Sequence, residues 1–535
     1  MTEEFRSKYI QARKTYIESR FSHLNPMQRK AVLQTEGPML ILAGAGSGKT
    51  TVLINRIYNL LTYGSASDSE VVPEDANDAM LAELEMHGKY ADEYASFYPA
   101  APWQILAITF TNKAADELKA RLGKMLGDAA GELWACTFHS ACVRILRRNA
   151  ERIGFTGNFT IYDTSDSQSL IKHILKDFNL DEKYYPPRTL LTQISRAKDA
   201  RILPDQFLQK AKSSSDLYRQ KTGEIYKEYM RRLKAADSMD FDDLLLNTVI
   251  LLEENDDVRD YWQHRFRYVM IDEYQDTNML QYQFSALIAG NRKNICVVGD
   301  DDQSIYKFRG ATIENILSFE IQYPGCRTIC LEQNYRSTGM ILDAANAVIS
   351  NNTERKGKQL WTDKDAGDKI ILTVTDNERE EAQHIASKIL SGYAKGENWR
   401  DYAILYRKNA QSNAIEFALK KNGIPYKIFG GMRFFDRAEV KDILAYMCVV
   451  ASPADDLRLE RIINVPPRGI GAKSIETALM IARENNVPLF EVISHADRYE
   501  ELSRAAMRMR QFSIMIKELQ AFSEVNTPDV LFEEI

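Results

Sequence analysis

The residues best equipped for chemistry lie near the N-terminus, in the run Gly44-Ala45-Gly46-Ser47-Gly48-Lys49-Thr50. Glycines at this spacing let successive backbone N–H groups turn inward on a phosphate chain at the positive end of the following helix. Lys49 adds a point charge suited to β and γ phosphates, and the Thr50 hydroxyl can ligate Mg²⁺. A second set ends an apolar run: Val269-Met270-Ile271 stops at Asp272 and Glu273. Asp272 can hold Mg²⁺ directly or through water, and Glu273 can orient and deprotonate an attacking water. A third run, from Val298 to Gly310, puts Gln303 where it can sense a γ phosphate. Just beyond it Tyr306, Phe308 and Arg309 mix aromatic faces with positive charge, which suits stacking of unpaired bases and contact with their phosphates. Taken alone, adjacent acids also fit a solvated turn, and such aromatics also fit a core.

These groups work only if the backbone delivers them to one place. Residues 38–43 form a short apolar run stopped by glycines, and the sequence TTVLINRIYNLL after the loop has helical apolar spacing. Similar strands are expected at 105–110, 268–271 and 295–298, each followed by polar residues and then a helical pattern. Such alternation predicts an α/β fold whose parallel sheet carries helices on both faces, with ligands at the carboxyl ends of its strands. Asn25-Pro26 marks a helix start, with Asn as cap and Pro at the first helical position.

Two interruptions split this pattern. Residues 64–103 carry nine acids against Lys89 as their one Lys or Arg, and read as a partly helical surface insertion. Residues 141–236 are helix-rich, with basic clusters at Arg144, Arg147, Arg148 and Arg152 and at Lys227, Arg231, Arg232 and Lys234. They fit an inserted helical subdomain, and equally a solvated helix face. Beyond about 330 a second α/β alternation is expected, with strands at 370–375 and 402–406. From 434 onward the pattern is helical.

The whole chain constrains the reading only loosely. A length of 535 residues predicts a multidomain protein. A net charge of −6 confines any nucleic-acid site to a local basic surface. The six cysteines lack paired zinc-site spacing and fit a reduced protein. The charged N-terminus has no secretory apolar core, and the apolar run at 244–252 is too short to cross a membrane, so a cytoplasmic protein without membrane association is expected.

The motifs LNPMQ, GAGSGKT, AITFTNKAADEL, TFHS, DFDDL, MIDEYQDT, VVGDDDQSIYKFRGA, LEQNYRS and NVPPRGIG occur in order between Leu24 and Gly471. In this ordered set the chain resembles the UvrD/PcrA/Rep family of superfamily 1A DNA helicases. The resemblance implies a P-loop NTPase of RecA-like architecture, with two motor domains and inserted helical subdomains. It places the first motor domain at 1–140 and 237–330, a helical subdomain at 141–236, the start of the second motor domain at 331–433, and a further helical subdomain at 434–535. The implied nucleotide site comprises Gln28 as adenine reader, Gly44, Ala45, Gly46, Ser47, Gly48, Lys49, Thr50 and Thr51 around the phosphates, and Tyr335 stacked on the base. Catalysis is assigned to Lys49, Glu273, Gln303 and the arginine finger Arg336, and the metal to Thr50 and Asp272. Single-stranded DNA would meet Phe110, Asn112, Thr137, His139, Tyr306, Phe308 and Arg309, while Gly469 and Gly471 would touch duplex phosphates. His139 equally fits a packed core histidine, and the 469–471 turn a plain interhelical turn.

Two positions depart from the family: Phe308 where many relatives carry tryptophan, and Thr51 where relatives often carry arginine. The implied activity is ATP- and Mg²⁺-dependent 3′ to 5′ movement on single-stranded DNA and unwinding at junctions with duplex, in repair or replication, with repair proteins as possible partners. The family's later motifs, including a second arginine finger, would lie past Ile535, so a C-terminally truncated member with an incomplete second motor domain is expected. Two other readings remain open: a non-catalytic module that binds ATP and DNA, and the helicase subunit of a nuclease complex.

Overall fold

Apolar runs stopped by glycine or acid become the strands of one parallel sheet. The computed structural model describes residues 2–213, 216–353, 355–429, 438–485 and 487–535; the side chains of Asp128, Ala129 and Arg309 lie outside the described set. The strands are β1 (Met39–Ala43), β2 (Ile105–Thr109), β3 (Trp134–Thr137), β4 (Thr160–Ile161), β5 (Ser238–Met239), β6 (Tyr268–Ile271), β7 (Ile295–Gly299) and β8 (Arg327–Leu331). Six of them pair in parallel in the order β3-β2-β6-β7-β1-β8, and β4 and β5 form a separate small ladder.

Every residue of β1, β2, β6 and β7 is buried, as a sheet covered on both faces requires. In β1 the alternation is direct. Met39, Ile41 and Ala43 enter one hydrophobic core, while Leu40 and Leu42 enter the core on the opposite face. Because all six strands run the same way, Gly44, Phe110, Asp272, Asp300 and Glu332 emerge along one edge of the sheet. The sequence reading did not anticipate the two outermost strands, β3 and β8. Their burial is incomplete, with Arg327 exposed, so they lack the uniform apolar signature of the centre.

The acidic segment at 64–103 is partly helical, at Asp78–Glu85 and Ala91–Ala95, but it is fastened rather than draped. Leu84, Ala91, Ala95 and Ala100 join the main core. Arg13, from the helix Glu3–Arg20, is buried and donates to the carbonyls of Val71 and Ser69 at 2.6 and 2.5 Å. Within 141–236 the first helix, Phe138–Asn149, packs Ala141, Cys142, Ile145 and Leu146 against the sheet. A separate helical core begins only at Tyr162. The helices from Asp456 to Glu534 gather round a third core.

The chain divides into two units, Met1–Ala366 with Ala445–Ile535, and Gly367–Leu444. In the smaller unit the helices Glu378–Ala394 and Ser412–Lys421 share a core of Ala382, Ala386, Ile389, Ile415 and Leu419. The strands expected at 370–375 and 402–406 are absent: neither segment is paired with another, and Leu372 and Leu405 are 87% and 90% exposed. An apolar run becomes a parallel strand only when a neighbour accepts its hydrogen bonds, and neither segment forms a ladder with any described residue. Among the described residues from 332 onward, helices are seen and no ladder of strands, and residues 332–366 belong to the larger unit.

Candidate nucleotide site and nucleic-acid groove

The glycine loop bridges β1 and the helix Lys49–Thr62. In the general phosphate-loop pattern the first position is also glycine, and here it is Ala43, the last residue of β1, where extended backbone tolerates a Cβ. Gly46 and Gly48 have φ of +66° and +85°, which only glycine adopts without cost. A Cβ on Gly46 would also lie 2.6 Å from Asn334 Nδ2 and 2.8 Å from Arg336 Cβ. Gly48 caps the helix without a side-chain bond, so the first helical N–H groups keep their positive end toward the loop. Ser47 Oγ is buried with no partner among the described residues, as a hydroxyl facing an absent polar ligand would be.

Across the sheet edge Lys49 Nζ donates to Glu273 Oε2 at 3.0 Å, and Gln275 Nε2 donates to the same oxygen at 2.9 Å. Glu273 has φ +51° and ψ +44°, a left-handed backbone costing a non-glycine residue about 1 kcal/mol or more. That turn lifts its carboxylate off β6 toward the loop. Asp272, at the tip of β6, accepts the Glu273 N–H at 2.9 Å. Burial, and then the neighbouring Glu273 charge, push its pKa up to about 6. Asp272 and Thr50 both offer hard oxygen donors, a set that fits Mg²⁺. Gln303 is exposed, and its amide donates to Asp300 Oδ2.

On the base side Gln28 is buried and its amide partly engaged. Its oxygen accepts Asn25 N–H at 3.2 Å, and its nitrogen donates to Ser47 O at 2.8 Å. One N–H and one lone pair remain, enough to read one edge of a base. Asn25 Nδ2 donates to Tyr335 Oη at 2.8 Å, which joins the two expected base contacts. Tyr335 N–H donates to Gly46 O at 2.9 Å, and Asn334 Nδ2 to Ala45 O at 2.6 Å. The segment bearing Arg336 is thereby laced to the phosphate loop, with the Arg336 side chain exposed. Thr51 sits half-buried in the first turn after the loop.

A groove of ≈ 650 Å³ opens beside this edge, lined by Phe110, Thr137, His139, Phe241, Tyr306 and Phe308 among others. Phe110 and Tyr306 lie 5.2 Å apart, Tyr306 and Phe308 6.0 Å, and His139 and Phe241 5.4 Å. Phe308 is 64% exposed, a face available for stacking. Burial lowers the His139 pKa and favours a neutral ring. Thr137 also caps the helix Phe138–Asn149 by accepting Ser140 N–H at 3.3 Å. Asn112 is exposed at the start of its helix, outside the lining. The Arg309 side chain lies outside the described residues. Gly469, with φ +71°, and Gly471 do not line this groove; they precede the helix Ala472–Asn485 in the third core.

Sequence reasoning passed over Phe241, Asn25 and Gln275. Phe241 could have been found: a phenylalanine flanked by Asp240 and Asp242 at a helix start has no reason to be buried, and it is 55% exposed. Asn25 and Gln275 act through bonds that no local pattern announces.

Comparison with known proteins agrees with this geometry. The UvrD/REP helicase N-terminal domain matches residues 24–324, and the UvrD-like helicase C-terminal domain matches residues 329–526. The chain is 45% identical over 522 residues to the ATP-dependent DNA helicase PcrA of Bacillus subtilis strain 168, covering 97% of this chain and 66% of that protein. It is 44% identical to the PcrA helicases of Staphylococcus epidermidis RP62A and Staphylococcus aureus Mu50, in each case covering 94% of this chain and 64% of the relative. The chain thus spans just under two thirds of the length of these relatives. No helix among the described residues is long and apolar enough to cross a membrane. The ordered motifs, the six-stranded parallel sheet and the loop bonded to Glu273 and the Arg336 segment have one common explanation: the chain belongs to the UvrD/REP helicase family.

Proposed function

We propose that this chain is the ATP-driven part of a DNA helicase that moves 3′ to 5′ on single-stranded DNA and unwinds at junctions with duplex. The observation that carries the reading is the 3.0 Å bond between Lys49 and Glu273, on the sheet edge that also leads into the aromatic groove. The loop amides and Lys49 bind the triphosphate; Thr50 and Asp272 hold Mg²⁺, which when bound adds positive charge at the phosphate oxygens. Glu273 orients the attacking water and takes its proton, while Gln303 and Arg336 bear on the γ phosphate. Gln28 and Tyr335 select the base. Phe110, Phe241, Tyr306 and Phe308 stack on bases of any sequence, as a tracking motor requires. His139, Thr137, Asn112 and Arg309 add polar and charged contacts, and Gly469 and Gly471 meet duplex phosphates through backbone N–H groups. The cellular reading is a cytoplasmic protein of DNA repair with repair proteins as partners.

The test is ATP hydrolysis measured with and without an unstructured single strand such as oligo(dT). Stimulation by DNA that is lost in Lys49→Ala supports the motor. Hydrolysis at equal rates with and without DNA would refute it.

A further inference from the structure

A short strap of chain, residues 355–361, touches three parts of the candidate nucleotide site at once. Lys358 Nζ lies 2.7 Å from Asp300 Oδ1 and 2.9 Å from Asp302 Oδ2, and it also pairs with Asp301. The lysine side chain is 3% exposed. Arg355 forks onto Asp302 with bonds of 2.7 and 2.8 Å. Two residues past Lys358, the Leu360 side chain fills the space where a Cβ on Gly44 would stand. The carbonyl of Trp361 accepts Asn334 N–H at 2.7 Å, and Asn334 in turn holds Ala45.

The three aspartates immediately precede Gln303. Their oxygens converge within 4.8 Å, a spacing that would suit a cation, and the Lys358 ammonium takes that place. An ammonium has three donors and meets three carboxylates; the planar fork of arginine does not reproduce that geometry. From the same turn Asp300 N–H donates to Gln275 Oε1 at 2.9 Å, and Gln275 donates to Glu273, the partner of Lys49. A continuous bonded path therefore runs Lys49–Glu273–Gln275–Asp300–Lys358. Past Gln303 the same stretch of chain carries Tyr306 and Phe308 into the groove.

We propose that Lys358 is a positioning residue that clamps the Asp300–Gln303 turn to the phosphate loop, and so ties nucleotide occupancy to the placing of the rings in the DNA groove. The inference rests on the ATP and DNA sites proposed above. Without the ammonium, the three adjacent carboxylates keep Arg355 alone as counter-charge among the described residues. Asp300 and Asp301, buried and left without that cation, push the turn open, and Gln303 loses its fixed anchor on Asp300.

The experiment measures oligo(dT) affinity of the whole chain with and without a non-hydrolysable ATP analogue and Mg²⁺, together with the affinity for the analogue alone. Wild-type protein should show a nucleotide-dependent shift in DNA affinity of about fivefold or more. Lys358→Met should bind each ligand separately but lose most of that shift. Adding Asp301→Asn, which removes one orphaned charge, should restore a large part of it, whereas a lysine that merely filled space would gain nothing from the second change. A full shift in Lys358→Met overturns the inference, and so does a double variant no better than the single one. Should the single variant fail to fold, the double variant alone decides, a lost shift counting against the charge argument. Wild-type protein that binds both ligands without any shift refutes the coupling alone, whereas protein that binds neither refutes the functional reading and the inference with it.

Discussion

Replacing Glu273 with glutamine should tighten ATP binding while stopping hydrolysis, and the first effect can be worked from the structure. Glu273 Oε2 accepts two donors, Lys49 at 3.0 Å and Gln275 at 2.9 Å. An incoming γ phosphate competes with that carboxylate for the Lys49 ammonium. The pair is only partly buried, with side chains 14% and 36% exposed. Its strength therefore falls between the ~0–1 kcal/mol of a surface ion pair and the ~1.5–3 kcal/mol of a shielded charge-assisted bond. Glutamine keeps the shape but loses the negative charge that holds the Lys49 ammonium, and an NH₂ placed at the Oε2 position would accept neither donor. Releasing about 1 kcal/mol of competition should raise ATP affinity about fivefold. The loss of a negative charge beside the phosphates acts in the same direction. Hydrolysis should meanwhile fall by roughly 10²- to 10⁴-fold, the usual worth of a positioned general base. Titration with a fluorescent ATP analogue and Mg²⁺, paired with a phosphate-release assay, measures both. Unchanged or weaker binding in a folded variant would refute the competition argument, and unchanged turnover would refute the role of Glu273.

Phe241→Ala should weaken oligo(dT) binding by ~1–3 kcal/mol, about fivefold to 150-fold, if the ring stacks on a base; fluorescence anisotropy reads it, and because the ring is half-exposed, melting of the free protein should barely change. DNA affinity should also depend on pH through Asp199, whose pKa burial and then the Asp242 charge push up to about 7. Asp242, Asp276, Arg188, Arg196 and His139 face the same groove. Because the folded pKa lies above the ordinary aspartate value, Asp199 contributes stability that is complete below about pH 4 and lost as pH rises through 7. Protonation likewise removes a negative charge from the path of an anionic strand. Affinity should therefore rise severalfold between pH 8 and pH 6 in wild type, and the slope should flatten in Asp199→Asn; an equal slope in that variant would assign the titration to another group.

What the sequence disclosed and what it hid divide along a physical line. A phosphate loop is local: seven consecutive residues, a strand before and a helix after, and the same backbone conformation wherever it occurs, so residues 44–50 were legible as soon as they were seen. The same holds for Asp272 and Glu273, because an apolar run of four residues can end in only one place on a parallel sheet. Strands at the sheet centre were legible for a related reason, since burial on both faces leaves an uninterrupted apolar run. That signal says only that a segment would be buried if something covered it. At 370–375 it predicts a strand, and no described residue forms a ladder with that segment.

The hidden part consists of bonds between residues far apart in the chain. Nothing in the acidic run 64–103 announces that Arg13 will be buried against the carbonyls of Ser69 and Val71. Nor does anything in Arg355-Lys356-Gly357-Lys358 distinguish a clamp from an ordinary solvated basic patch. The informative fact is a balance of charge across 56 to 58 residues: Asp300, Asp301 and Asp302 stand side by side, two of them buried, and burying carboxylates together is costly unless a cation is brought to them. A run of acids at the end of an apolar strand is thus a demand for a distant partner as well as a candidate metal site. In this fold one such run, at Asp272 and Glu273, has Lys49 against it, and the other has Lys358. The first lysine is the one a triphosphate would take over, so its carboxylate must be able to let it go. The second is enclosed by three carboxylates, away from that exchange, which is why it can keep the turn in place while the first changes partners.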